Sequence, residues 1–125
     1  MHLKFLIATT ALLVPVAASA QSMNAEVFFQ RATKLKAKGP MAIFSSGEIK
    51  ALMKEGQASG QASASRHKAD KAAGRPTRFC PPPGPAKMDS DEYMKRLAGI
   101  PRATRQRIDM TEATTRIMAA KFPCR

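Results

Sequence analysis

The sequence predicts an all-α protein: a small four-helix domain stapled by one disulfide and preceded by a cleaved signal peptide. Three observations predict it. Apolar residues recur at three- and four-residue spacing in several segments, and no stretch of useful length alternates with period two. Each of those segments opens on a capping residue and closes on glycine or proline. Two cysteines, Cys80 and Cys124, stand in a chain whose first twenty residues read as an export leader.

The leader comes first. Lys4 precedes the apolar run FLIATTALLVPVA, and Ala18-Ser19-Ala20 supplies the small-residue cleavage pattern. The run is too short to span a bilayer and has no stop-transfer flank, so no integral membrane association is expected. Residues 1–20 form the signal peptide and 21–125 a single helical domain, beginning near Gln21 and located in the periplasm of a Gram-negative envelope. The chain carries a net charge of +12, of which Lys4 belongs to the leader, leaving +11. With no Trp and one Tyr, its core is thin and built from Leu, Ile, Met and Ala. A thin core in an oxidising compartment takes a covalent staple. Cys80 and Cys124 are the only cysteines, and the 45 residues they enclose correspond to about 4 kcal/mol of loop-closure entropy. A metal site is the alternative, but two thiols and one histidine beyond the leader, His67, make a poor ligand set.

The first helix is expected over residues 24–38. Asn24 caps it, Glu26 sits in its first turn, and Val27, Phe28, Ala32 and Leu35 mark its apolar face; Gly39-Pro40 stops it. The second is expected over 46–73. Ser45-Ser46-Gly47-Glu48 has capping-box spacing, and Gly74 and Pro76 end the segment. At 100° per residue, Ile49, Leu52, Gly56, Gly60, Ser63 and His67 share one stripe, small enough in the middle for another helix to approach closely. Lys50, Lys54, Gln57, Gln61, Lys68 and Lys71 form a solvated basic stripe beside it. The middle, GQASGQASAS, is also the best candidate for a flexible break, since each helical glycine costs about 1 kcal/mol relative to alanine.

Residues 75–88 are a rigid proline-rich connector, because Pro81, Pro82, Pro83 and Pro85 forbid a helix interior. Asp89 opens a third helix over 90–100, with Tyr93, Met94, Leu97 and Ile100 on its apolar face and Pro101 at its end. The fourth is expected over 104–121, with Asp109-Met110-Thr111-Glu112 at cap spacing and Met110, Ala113 and Ile117 facing the core. Phe122-Pro123 stops it.

Catalytic constellations are scarce. His67 stands without a serine or cysteine motif beside it, and Glu48, Asp89, Glu92 and Asp109 sit at helix starts, where capping explains them. No phosphate-cradling glycine loop is present. The chain is therefore read as no enzyme and as needing no cofactor. Its basic residues are dispersed, with no interleaved aromatic platforms, so nucleic acid is not expected as a partner. The charge fits electrostatic steering toward an acidic partner, for which Lys50, Lys54, Lys68 and Lys71 are the candidate contact residues.

Cys80-Pro81-Pro82-Pro83-Gly84, two helical segments, and then Phe122-Pro123-Cys124 resemble the Rap/Tai family of type VI secretion immunity proteins. That family shows a C-x-P-x-G loop opening a stretch that closes on F-P-C. It also carries an upstream C-x-G-Y-x-x-G helix, whose glycines correspond to Gly56 and Gly60. The resemblance covers roughly residues 45–124 and marks Gly56, Gly60, Pro82, Gly84, Phe122 and Pro123 as structural motif positions. Lys54 stands where the family often has cysteine and Gln57 where it has an aromatic residue, so the chain resembles a divergent, one-disulfide branch. The resemblance implies a periplasmic protein that binds and occludes a secreted peptidoglycan amidase delivered by a neighbouring cell. Members often dimerise, so the Gly56–Gly60 stripe serves either a homodimer or the intramolecular core, and the core is the expectation. The alternative functions are a periplasmic stress chaperone and a helical protein that binds the anionic envelope through its cationic surface.

Overall fold

The computed structural model describes residues 22–85 and 87–125; the expected signal peptide and the start of the mature chain at Gln21 lie outside them. Among the described residues the architecture is all-α, with α1 at Ala25–Ala37, a 3₁₀ helix at Gly39–Ser45, α2 at Ser46–Ala72, α3 at Ser90–Gly99, α4 at Arg102–Arg105 and α5 at Met110–Lys121. One disulfide, Cys80–Cys124, ties the connector to the C-terminus.

Local chemistry sets most of the helix ends. The Asn24 side chain accepts from the amides of Glu26 and Val27, Asp89 accepts from Glu92, and Asp109 accepts from Glu112. At the far end of α2, Gly74 takes φ +69°, which L side chains rarely adopt, while Arg75 N–H closes back on the Asp70 carbonyl.

Three expectations are corrected. The fourth helix is not continuous over 104–121, so the described residues form five α-helices and a 3₁₀ helix instead of four helices. The N-terminal segment runs past residues 106–110 and bonds the backbone there: Ala25 N–H to the Ile108 carbonyl, Met110 N–H to the Met23 carbonyl, and the Asn24 amide to the Gln106 carbonyl. Those bonds replace helical ones and split the segment into α4 and α5. The capping box at Ser45 does not form. Arg31 holds the Glu48 carboxylate through two bonds of 2.7 Å, and the Ser45 hydroxyl accepts from Lys38 instead. Gly39-Pro40 stops α1 as expected, and the chain then continues into the 3₁₀ helix. Val27, expected on the buried face of α1, is 48% exposed, and the inward residues there are Ala25 and Phe28.

The core is small: Ala25, Phe28, Leu52, Leu97, Met110, Ala113 and Ile117. Arg105 is buried within it. Its guanidinium donates to Glu26 at 2.6 Å and to the carbonyls of Ala98 and Ile100 at the end of α3, and lies 4.1 Å from the centre of the Phe29 ring. One cation thus satisfies a buried carboxylate and the exposed carbonyls of a helix end.

Against α5, α2 packs along a seam of hydroxyl and small side chains. Thr115 donates its hydroxyl proton to the Thr111 carbonyl, so Ser63 must donate to Thr115, at 2.9 Å. Ser59 and Ser63 are buried there. The stretch offered as a flexible break is thus continuous helix, because tertiary packing offsets its glycine cost. The close approach does not involve Gly56 and Gly60, however: an added Cβ on either would meet nothing within 4 Å.

Candidate functional site

Three surfaces stand out, two of which hold the residues singled out in the sequence. The first is the motif unit at the C-terminus. Cys80 and Cys124 are bonded with their Cα atoms 4.9 Å apart, and Cys80 N–H donates to the Phe122 carbonyl at 2.8 Å. Phe122 and Pro123 therefore belong to the same local unit as the FCPPPG loop. Pro82 and Gly84 are exposed in that loop; Gly84 has φ +98°, a value that favours glycine there. Arg78 anchors the loop to α5 through two bonds to Glu112, of 2.6 and 2.8 Å. Phe79, which the sequence reading passed over, is 4% exposed and stacks on His67 at 4.5 Å with the rings 18° apart. His67 is thus a packing partner of the connector, and its buried Nδ1 has no hydrogen-bond partner.

The second surface is the outer face of α2. Lys50, Lys54, Lys68 and Lys71 are all exposed. They are not gathered into a cluster, because Lys50 and Lys71 lie about 30 Å apart along the helix axis. The helix sorts its charges by face. Glu48 turns to Arg31, Asp70 to Arg75, and Glu55 to the Ser22 hydroxyl and the Met23 amide. The protein's other carboxylates are engaged as well. Glu26 pairs with Arg105, Asp91 with Lys36, Glu92 with Arg96 and Lys121, and Glu112 with Arg78 and Arg116, while Asp89 and Asp109 cap helices. The cations beside Glu26, Glu48, Glu92 and Glu112 hold those carboxyls below the usual range, the largest contribution coming from Arg105, Arg31, Lys121 and Arg78 respectively. Among the described residues, the four lysines of α2 have no carboxylate within ion-pair distance, so this face presents uncompensated positive charge.

Sequence reasoning missed the third surface. A groove of about 1050 Å³ runs between α1, the 3₁₀ helix, the first half of α2 and α3, and is floored by Phe28, Leu35, Leu52, Tyr93 and Met94. At its edge the 3₁₀ helix exposes Met41 (62%), Ile43 (71%) and Phe44 (76%), and α2 exposes Met53 (59%). The available signal was GPMAIFS, three large apolar residues between a helix stop and a helix start, where no periodic face requires them.

Among the described residues no group of three His, Cys, Asp or Glu side chains is placed to hold a metal ion, and no helix is long and apolar enough to cross a membrane. No family model, curated protein or solved structure matches the chain.

Proposed function

We propose that this chain is a periplasmic immunity-type protein that binds a peptidoglycan-cleaving amidase delivered by a neighbouring cell and occludes its cleft. The observation that carries this reading is the unit formed by the two motifs of the Rap/Tai resemblance. FCPPPG and FPC are bonded through Cys80–Cys124 and through the Cys80–Phe122 backbone bond. Occlusion needs no chemistry from the inhibitor. It needs a stiff scaffold, apolar anchors for affinity and complementary charge for rate and selectivity. The disulfide and the α2–α5 seam supply stiffness, and Lys50, Lys54, Lys68 and Lys71 supply a field that steers acidic partners.

Co-expression in the periplasm with a secreted amidase encoded beside it tests the reading. Suppressed lysis, with the two proteins co-purifying, is expected. Replacing the four lysines by glutamate should slow association at low salt and leave the fold intact. Undiminished lysis without co-purification removes the immunity function.

A further inference from the structure

The 3₁₀ helix between α1 and α2 is a protrusion with two kinds of side chain. At its tip stand Met41, Ile43 and Phe44, each more than three-fifths exposed. Monomeric proteins rarely hold three large apolar side chains together in water without a use for them. Lysines flank the tip on both sides in the chain: Lys34, Lys36 and Lys38 before it, Lys50 and Lys54 after it. Lys38 reaches across the tip's base, donating to the Ser45 hydroxyl at 2.8 Å. Between residues 34 and 54 the only carboxylate is Glu48, and Arg31 neutralises it through two bonds. Lys36 is paired with Asp91 of α3, so the segment combines an apolar wedge with a positive collar of Lys34, Lys38, Lys50 and Lys54, and its own carboxylate is neutralised.

From this juxtaposition the geometry points to an anionic lipid surface as the partner of the 3₁₀ tip: Ile43 and Phe44 enter the headgroup layer while the flanking lysines meet lipid phosphates. Either component alone gives weak, reversible attachment, and the combination of a shallow apolar insertion with a basic cluster is what holds a protein at a membrane without spanning it. The inference is independent of the immunity reading, because it concerns where the protein sits and not what it blocks.

Co-sedimentation of the oxidised protein, as the cell processes it, with vesicles is the test. It should bind vesicles of equal parts phosphatidylglycerol and phosphatidylcholine, and bind phosphatidylcholine alone at least about tenfold more weakly. The I43S/F44S double variant should lose about tenfold or more in partitioning, and K50Q/K54Q should lose about fivefold for each lysine removed. K68Q/K71Q, at the far end of α2, should partition as the parent does. All of these positions are exposed, and unchanged circular dichroism and Tm establish that each variant is folded. Three results overturn the inference. One is equal binding to neutral vesicles. Another is binding that K68Q/K71Q reduces as much as I43S/F44S does, which means diffuse charge attraction. The third is a concentration-dependent dimer in the absence of lipid that I43S/F44S abolishes, which assigns the tip to a second copy of the chain.

Discussion

The two halves of α2 are packed in opposite ways. Its second half lies against α5 through the Ser63–Thr115 bond, with Ser59 and Thr111 also buried, and is held at its end by the His67–Phe79 stack. Its first half carries Ile49, Leu52 and Met53 yet borders an open groove of about 1050 Å³. Large apolar residues sit where packing is open, and small polar ones where it is close. Close packing of hydroxyl residues gains little from the hydrophobic effect, so that half relies on hydrogen bonds and on the covalent staple.

The largest way to break this contrast is to remove the staple. C80S/C124S should lose about 4 kcal/mol in denaturant unfolding, and the loss should fall first on the connector and the second half of α2, read as faster amide exchange there. A retained exchange pattern would show that the hydroxyl seam holds by itself. Next, Ile117→Ala in α5, where the side chain is 2% exposed, should cost about 3 kcal/mol, while Ile49→Ala on the groove wall should cost under about 1.5 kcal/mol because no closed cavity is created. Equal costs would mean that the groove is closed in solution.

Acid acts on both halves. Glu26, Glu48, Glu92 and Glu112 have folded pKa values lowered from 4.5 by their cationic partners. Their contribution to stability is present above pH 4.5 and is lost as the pH falls below it through the lowered folded values. Tm should hold from neutral pH down to about 4.5 and then decline, and Glu112→Gln should flatten the part of that decline reported by the connector.

Smaller still, Gly56→Ala and Gly60→Ala should each stabilise by about 0.5–1 kcal/mol, since a Cβ meets nothing within 4 Å and helical alanine is favoured over glycine. Destabilisation would restore the close-approach role for that stripe. The smallest effect belongs to Phe44→Ser, which should leave unfolding within about 0.5 kcal/mol of the parent, so that any change in vesicle binding reports on the surface alone.

Much of the fold was legible because its signals are local. Asn24, Asp89 and Asp109 cap through bonds spanning two or three residues, Gly74 and Pro123 stop helices by their own backbone constraints, and two cysteines allow one pairing. The basic face of α2 was legible for the same reason, since helical periodicity alone places Lys50, Lys54, Lys68 and Lys71 away from the packed stripe. The groove and the exposed tip were not. An apolar residue in a sequence predicts burial, and although Phe44 lies off any periodic helical face while Phe28 lies on one, nothing local shows that Phe44 finds no tertiary partner.

By itself, then, the sequence determined an all-α chain, most of its helix ends, its disulfide and the outward face of its longest helix. Only the tertiary structure decided which residue claims each contested group. Glu48 turns to Arg31 instead of capping its own helix, the N-terminal segment takes the backbone groups of residues 106–110 and splits a helix, and the glycine-rich middle of α2 becomes helical against α5. In the first two cases a local bond and a long-range one compete for the same group with energies close enough that packing settles which forms. In the third, packing against α5 offsets the conformational cost of the glycines.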